Sequence, residues 1–325
     1  MLTEKSKNSF DHRDSKYFVP LIIIRSYKRV LTIYDTMRIL SLTLTSLLLT
    51  IAVEAQTQGT AYESKTLYSN ILKMDRKFSI YLPAGYESSD RAYPVVYLLH
   101  PAGPANTVPN NQSWLYYGEL KQFLDKAILA GDITPMIVVT PDANYGSKRI
   151  SYFNDPEGDF NFEDFFFKEF IPFIEKNYRC RTEKGSRAIA GASMGGQAAI
   201  QYTLHQPDLF SVTCALSAAV RKYESEYFKN RFPNVSEKTL IEWYKQYDAI
   251  SYFENLPENT ESKTKWYIVC GDDDRLSVNN SLLHIAMTSK GIPHEFRIYN
   301  GAHDWSFWRK VLPEFMTYIS DYFRK

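Results

Sequence analysis

The sequence predicts an α/β fold in which a mostly parallel sheet is covered on both faces by helices. Short apolar segments of strand length alternate along the chain with longer segments of helical pattern, as in parallel sheets. The chain has 325 residues and is 44% hydrophobic, which is enough for a large core. It contains no repeat of fixed length, so a solenoid or a propeller is not indicated.

The predicted strands are short alternating or apolar runs, at 76–83, 94–100, 136–141, 186–191, 211–218, 265–271 and 294–299. The predicted helices lie between them, at 118–132, 162–178, 194–207, near 238–247, 282–291 and 307–323. The run "RKFSIYLP" alternates as a half-buried strand does, whereas "PVVYLLH" is apolar almost throughout, as in a strand buried on both faces. In such sheets ligands bind at the carboxyl ends of the strands.

The N-terminal region has the pattern of a targeting segment. Met37 and Arg38 precede an apolar run at 39–53. Val53, at the end of this run, and Ala55 form a small-x-small pair. A short basic segment, an apolar stretch and a small-x-small site are typical of a signal peptide. The apolar run has 15 residues, fewer than the ~20 that a membrane span requires.

The chain therefore divides into three predicted parts: an upstream extension at 1–36, a signal peptide at 37–55 and an α/β domain at 56–325. We expect translation to start at Met37 and the mature protein to be secreted or periplasmic, with no stable membrane association after cleavage. The alternative is a signal-anchor with a long cytoplasmic tail.

Charge and cysteine content exclude several classes of function. The net charge is +1, so the chain has no basic field for nucleic acid. The three cysteines, at 180, 214 and 270, do not have metal-ligand spacing. We expect no metal, no organic cofactor and no essential disulfide.

The segment "GASMG" at 191–195 fits the G-x-S-x-G pattern, between a predicted strand and a predicted helix. In this context Ser193 would take a strained conformation at the sheet edge, and the flanking glycines would leave clearance around it. The helix N-terminus at this point favours developing negative charge. The alternative is a tight turn without function.

A serine hydroxyl requires a base and an orienting acid, which follow it in this architecture in the order Ser, Asp or Glu, His. Asp274 follows one predicted strand and His303 follows the next, so both fall at strand carboxyl ends. Asp272 and Asp273 lie in the same loop and are interpreted as solvated acidic residues or as a helix N-cap. The remaining candidate histidines are interpreted as packing or surface residues: His100, His205, His284 and His294.

Stabilising a tetrahedral oxyanion requires two backbone N–H donors. Met194, directly after the serine, is the first candidate. The second comes from the loop "HPAGP" after a predicted strand, where Pro101 has no N–H and Ala102 does. The alternative is that this loop is only a rigid turn.

Several segments together resemble an esterase family of α/β hydrolases: "SIYLPAGY", "YPVVYLLHPAGP", "MIVVTPDA", "RAIAGASMGGQAAI", "CGDDD" and "GAHDWSFW". This family includes feruloyl and acetyl-xylan esterases, S-formylglutathione hydrolases, siderophore-ester hydrolases and mycolyltransferases. The resemblance covers about 62–325 and departs from the family at Pro101, where glycine is usual. Glycine permits φ values that proline cannot adopt, so a displaced oxyanion hole is an alternative that the sequence leaves undecided.

The resemblance implies an α/β-hydrolase fold and a set of roles. Ser193 would be the nucleophile, His303 the base and Asp274 the acid, with Met194 and Ala102 as oxyanion donors. No cofactor is implied.

The predicted function is a secreted serine carboxylic-ester hydrolase that removes acetyl or feruloyl groups from carbohydrate esters. Its partner would be a small-molecule or polysaccharide ester. Trp114, Tyr145 and Trp305 are candidates for binding a sugar or an aromatic acyl group, although each could be core. The alternatives are an acyltransferase of mycolyltransferase type, a siderophore-ester hydrolase and an inactive binding module.

Overall fold

The computed structural model describes residues 29, 31–47, 57–103, 108–145, 149–150, 152–258 and 260–324. The chain forms two compact units, Met1–Gln56 and Thr57–Lys325. In the first unit, residues 31–47 form helix α1, whose side chains are exposed. Among the described helices, none is long and apolar enough to cross a bilayer. The predicted cleavage site after Ala55 lies outside the described residues, as does most of the upstream extension.

The described residues of the second unit form ten strands: β1 Thr60–Ser69, β2 Met74–Leu82, β3 Val95–Leu99, β4 Ile137–Pro141, β5 Asn144–Tyr145, β6 Arg149–Ile150, β7 Arg187–Ala192, β8 Val212–Leu216, β9 Lys265–Gly271 and β10 His294–Tyr299. Eight of them form one sheet in the order β1-β2-β4-β3-β7-β8-β9-β10. β1 and β2 are antiparallel, as are β2 and β4, and all other neighbours are parallel. The predicted mostly parallel sheet is confirmed.

The remaining described helices are α2 Ser113–Tyr116, α3 Leu120–Leu129, α4 Phe162–Phe165, α5 Ile171–Asn177, α6 Met194–His205, α7 Ser225–Arg231, α8 Glu237–Lys245, α9 Ala249–Glu254, α10 Ser277–Ser289 and α11 Trp305–Phe323. A π-helical turn, Phe166–Phe170, joins α4 to α5 within the single helix predicted at 162–178. Its aromatic side chains are largely core, as the sequence indicated.

Strand β3 explains how the two helical layers are built. Val95, Tyr97 and Leu99 face a layer that includes α4, α5 and α6, whereas Val96 and Leu98 face α3 and α11. Because successive side chains of a strand point to opposite faces, a strand covered on both sides is apolar at every position. All five side chains are fully buried.

The structure differs from the predicted elements in three places. Strand β1 was not predicted, because it lies at the sheet edge with half of its side chains exposed and a register shift between Tyr62 and Lys65. The 221–262 region forms three helices rather than one. Helix α10 starts at Ser277 rather than at 282, because its first turns carry polar residues such as the buried Asn280.

Candidate active site

Ser193 occupies the sharp turn between β7 and α6. Its backbone has φ 55° and ψ −116°, a conformation that is uncommon for a residue with a side chain. The Ser193 N–H donates to the Leu216 carbonyl at 2.8 Å, and its carbonyl accepts from Gln197 at 3.0 Å and Ala219 at 2.9 Å. These bonds hold the strained residue at the carboxyl edge of the sheet.

The glycines around Ser193 are required by backbone contacts. A Cβ atom on Gly191 would overlap the backbone of Gly195, and one on Gly195 would overlap the carbonyl groups of Leu99 and His100. The clearance predicted from the sequence is therefore present. These contacts also place the start of α6 directly against the end of β3.

The structure brings Ser193, His303 and Asp274 together in one chain of hydrogen bonds. His303 Nε2 lies 2.8 Å from Ser193 Oγ. His303 Nδ1 lies 2.8 Å from Asp274 Oδ2 and 3.0 Å from Oδ1. The residues come from the loops after β7, β9 and β10, three strands whose carboxyl ends share one edge. An arrangement of hydroxyl, imidazole and carboxylate can deprotonate the hydroxyl through the imidazole.

Asp274 is held as an anion in a buried position. Burial alone would raise the pKa of its carboxyl, but hydrogen bonds from His303, from the Leu276 N–H and from Ser217 outweigh burial and lower it. Its side chain is inaccessible to solvent. The Trp308 indole donates to Ser217 Oγ at 3.2 Å and so fixes one of these partners.

The loops that carry Asp274 and His303 are joined to each other through their backbones. A Cβ atom on Gly271 would overlap the Gly301 carbonyl. The Asp272 N–H donates to Tyr299 at 3.0 Å, and Asp272 Oδ1 accepts from Gly301 at 3.0 Å. Asp272 thus braces the two loops from an exposed position and does not contact the imidazole.

The two expected oxyanion donors lie close to Ser193, one directly after it in sequence and one across the cavity lining. Met194 is the first residue of α6, and Ala102 lines the cavity beside Ser193. Within the described part of the chain, neither backbone N–H donates a hydrogen bond. Their role in stabilising an oxyanion stays a prediction.

A cavity of about 280 Å³ opens at Ser193 and His303. Its other lining residues come from three stretches of the chain, between β3 and α3, after β9 and at the N-terminal end of α11: Pro101, Ala102, Gly103, Val108, Asn110, Ser113, Tyr117, Arg275, Asp304, Trp305 and Trp308. Most were not singled out from the sequence, because no local motif marks a residue that only tertiary folding brings to the site. Among the described residues, no cluster of three or more His, Cys, Asp or Glu side chains is arranged to hold a metal ion.

The three aromatic residues proposed for substrate binding occupy different places. Trp305 lines the cavity, with its ring centroid 5.5 Å from that of Tyr117. Trp114 is fully buried behind it, with ring centroids 5.0 Å apart, and does not line the cavity. Tyr145 stacks on Phe160 at 4.5 Å and is also absent from the lining. Of these three residues, Trp305 alone lines the cavity, next to Tyr117 and Trp308.

A mostly parallel eight-stranded sheet with a strained serine at a strand–helix turn defines an α/β hydrolase. The chain matches the family described as "Putative esterase" over residues 69–319, and it belongs to that family of ester hydrolases. The resemblance inferred from the sequence motifs is confirmed.

Individual relatives agree with this assignment. The chain is 30% identical over 244 residues to an endo-1,4-beta-xylanase/feruloyl esterase of Xylanibacter ruminicola, which is 72% of this chain and 28% of that protein. It is 28% identical over 187 residues to an acetyl esterase of Caldicellulosiruptor saccharolyticus, which is 52% of this chain and 69% of that protein. The chain thus spans under a third of the length of the first relative.

The comparison with solved structures agrees with the assignment to this esterase family. A ferulic acid esterase aligns with a TM-score of 0.72 and 31% sequence identity, covering 82% of this chain and 99% of that one.

Proposed function

We propose that this chain is a secreted serine esterase that hydrolyses carbohydrate esters, with feruloyl esters as the first candidate and acetyl esters as the second. The observation that carries the proposal is the hydrogen-bonded chain Ser193–His303–Asp274 at the mouth of an aromatic-lined cavity. Support for the acyl group comes from the relatives named for feruloyl and acetyl ester hydrolysis.

In the proposed acylation step, His303 Nε2 takes the proton of Ser193 as Oγ attacks the ester carbonyl carbon. The C=O electron pair moves to the oxygen, and the Met194 and Ala102 N–H groups stabilise the resulting oxyanion. Asp274 holds the imidazole in position and stabilises its positive charge. Collapse of the intermediate breaks the ester C–O bond, and His303 returns the proton to the leaving alcohol.

Deacylation repeats these steps with water. His303 removes a proton from the water as it attacks the acyl-serine, and the second tetrahedral intermediate expels Ser193 Oγ. The Ser193 oxygen recovers its proton from His303, and the acid leaves. The cycle requires no metal or organic cofactor.

The lining and the volume of the cavity favour an aromatic acyl group over a long fatty chain. Trp305 and Tyr117 present apolar ring surface, and Asn110 and Ser113 place polar groups among the lining residues. Its volume of about 280 Å³ lies just below the roughly 300–1,000 Å³ that is usual for ligand pockets. A planar phenolic acid suits such a space, because it combines a stacking face with hydrogen-bonding groups.

A substrate series with two neighbouring tyrosines tests this proposal. We expect Tyr117→Ala to lower kcat/KM for methyl ferulate about tenfold and to change that for 4-nitrophenyl acetate much less, as expected for loss of a ring contact. Tyr116→Ala is the matched control, because Tyr116 is exposed and bonds to Glu63 at 2.8 Å outside the cavity. A kcat/KM that rises with acyl length up to C16 would contradict the aromatic-pocket proposal.

Product analysis separates hydrolysis from transfer. Methyl ferulate is incubated with the enzyme and an excess of xylo-oligosaccharide, and the released acid and any new sugar ester are quantified. The proposed hydrolase yields mainly ferulic acid. A predominance of sugar ester would replace it with the acyltransferase alternative.

Export is tested by sequencing the N-terminus of the native protein. We expect a chain begun at Met37 to be cut between Ala55 and Gln56. An uncut chain that begins at Met1 would contradict secretion and favour a membrane-anchored enzyme.

A further inference from the structure

His100 lies at the end of β3, directly before the expected oxyanion loop, and its ring is fully buried. His100 Nδ1 lies 2.8 Å from the carbonyl oxygen of Pro101. On the other side of the ring, His100 Nε2 accepts a hydrogen bond from the Ala143 N–H at 3.0 Å. The ring therefore bridges the end of β4 and the oxyanion loop.

These two contacts assign the tautomer of His100. A backbone N–H can only donate, so Nε2 must carry a lone pair. A backbone carbonyl can only accept, so the ring proton must be on Nδ1 and point at Pro101. Burial lowers the pKa of His100 despite the Asp142 carboxylate 3.9 Å away, in agreement with a neutral ring.

The Pro101 carbonyl also fixes the direction of the next N–H. The peptide bond between Pro101 and Ala102 is planar and not cis, so its N–H points opposite to its carbonyl. With the carbonyl held by the buried ring, the Ala102 N–H points away from that ring. Ala102 is exposed and lines the cavity at Ser193.

We propose that His100 is a positioning residue, whose Nδ1–H holds the Pro101 carbonyl and thereby aims the Ala102 N–H at the oxyanion. The inference rests on the proposed esterase chemistry. It is compatible with proline at the position where the family usually has glycine. Proline fixes φ and lacks an N–H, but its carbonyl remains available to His100.

The backbone of His100 is fixed from a second side. Its N–H donates to the Tyr152 hydroxyl at 2.8 Å, and that hydroxyl donates back to the His100 carbonyl at 3.2 Å. The same carbonyl lies against Gly195, two residues after the nucleophile. A shift of this peptide would therefore move the oxyanion loop relative to Ser193.

Two substitutions of His100 separate positioning from packing. His100→Asn places an amide nitrogen near the position of Nδ1 and can still donate to Pro101. His100→Gln places its amide near the position of Nε2, so it can still accept from Ala143 but leaves the Pro101 carbonyl without a donor. Both remove part of the ring and are expected to lower the thermal midpoint similarly.

We expect His100→Gln to lower kcat about 10- to 100-fold with KM within about twofold, since loss of an oxyanion donor costs ~10²–10³ in kcat. His100→Asn should recover most of that loss. The inhibition constant of an aryl trifluoromethyl ketone, whose adduct carries an oxyanion, should rise with His100→Gln as kcat falls. Equal kcat losses in both variants, or losses that follow the thermal midpoint alone, would overturn the proposal.

A measurement on the unmodified protein remains informative if the variants do not fold. The ¹⁵N NMR signals assigned to the His100 ring should be those of a neutral ring protonated at Nδ1. A His100 ring protonated at Nε2, or on both nitrogens, would overturn the assignment. This readout does not depend on activity, so its failure is distinct from failure of the esterase proposal, which the Ser193→Ala variant tests.

Discussion

Two histidine–carboxylate pairs in the described part of the chain, His303–Asp274 and His205–Glu163, are similar in geometry and different in surroundings. His303 Nδ1 lies 2.8 Å from Asp274, and its Nε2 lies 2.8 Å from the Ser193 hydroxyl. His205 Nδ1 lies 2.5 Å from Glu163, but its Nε2 lies 2.8 Å from the Gln246 carbonyl. The first pair is at the sheet edge beside the cavity, and the second joins α4, α6 and the end of α8.

The partner of the second nitrogen distinguishes the two pairs. A hydroxyl can either donate or accept, so it can give its proton to His303. A carbonyl and a carboxylate only accept, so His205 carries protons on both nitrogens. Burial lowers the pKa of His205, but the hydrogen bond and charge of Glu163 and the bond to Gln246 outweigh it and raise the pKa overall. A carboxylate next to a histidine is therefore insufficient evidence of a catalytic base.

The largest expected effect is that of Ser193→Ala, which removes the group that distinguishes the first pair. We expect kcat for 4-nitrophenyl acetate to fall about 10⁶-fold, the loss caused by removing the nucleophile of a serine protease. The thermal midpoint should stay within a few degrees, because the change removes one oxygen atom. Retention of more than a few per cent of turnover would disprove the nucleophile assignment.

The next largest effect concerns the carboxylate of the first pair. Asp274→Asn should lower kcat about 10⁴-fold, because an amide favours the wrong imidazole tautomer. Asp272→Asn and Asp273→Asn are the controls, since neither side chain contacts His303, and both should remain within about tenfold of the unmodified enzyme. Equal, mild effects in all three variants would place the acid elsewhere.

The corresponding change in the second pair should affect stability and leave catalysis intact. Glu163→Gln removes the charge that holds His205 and also weakens the 3.0 Å bond from the Tyr247 hydroxyl. We expect a loss of about 2 kcal/mol in the free energy of unfolding, as for hydrogen bonds to charged groups. Urea unfolding gives this value, and kcat measured well below the thermal midpoint is the control. A fall in kcat of tenfold or more would show that the pairs are not independent.

The smallest effect is a pH dependence of that stability difference. The folded pKa of His205 is raised above its ordinary value of 6.5, so its stabilising contribution is complete below about pH 6.5. The contribution is lost as the pH rises through the folded pKa. The difference in unfolding free energy between the unmodified protein and Glu163→Gln should therefore shrink from pH 6 towards alkaline pH. A constant difference would indicate that His205 is neutral.

Local patterns made much of the molecule predictable. Alternating strand and helix segments indicated the mostly parallel sheet, and "GASMG" between a strand and a helix indicated the turn at Ser193. Asp274 and His303 could be selected because parallel strands deliver their carboxyl ends to one edge. These features depend on residues that are close in sequence or on a rule of sheet topology.

Contacts between distant segments were not predictable in the same way. Trp114 and Trp305 are chemically equivalent in the sequence, yet one is buried and the other lines the cavity. Asn280 has the appearance of a polar surface residue, but its side chain exchanges two hydrogen bonds with the Ala218 backbone in the core. Such positions are decided by which loops meet, and no local periodicity records this.

The place of β10 in the sheet affects when the proposed active site is completed during synthesis. β10 is the last of the described strands and lies at the edge of their sheet, paired with β9. Ser193 follows a central strand and His303 follows this terminal one. A nascent chain can therefore complete much of its sheet while the proposed base is still unpaired or unsynthesised. Labelling of Ser193 by a fluorophosphonate should then appear only after the final strand docks, and so report on the end of folding.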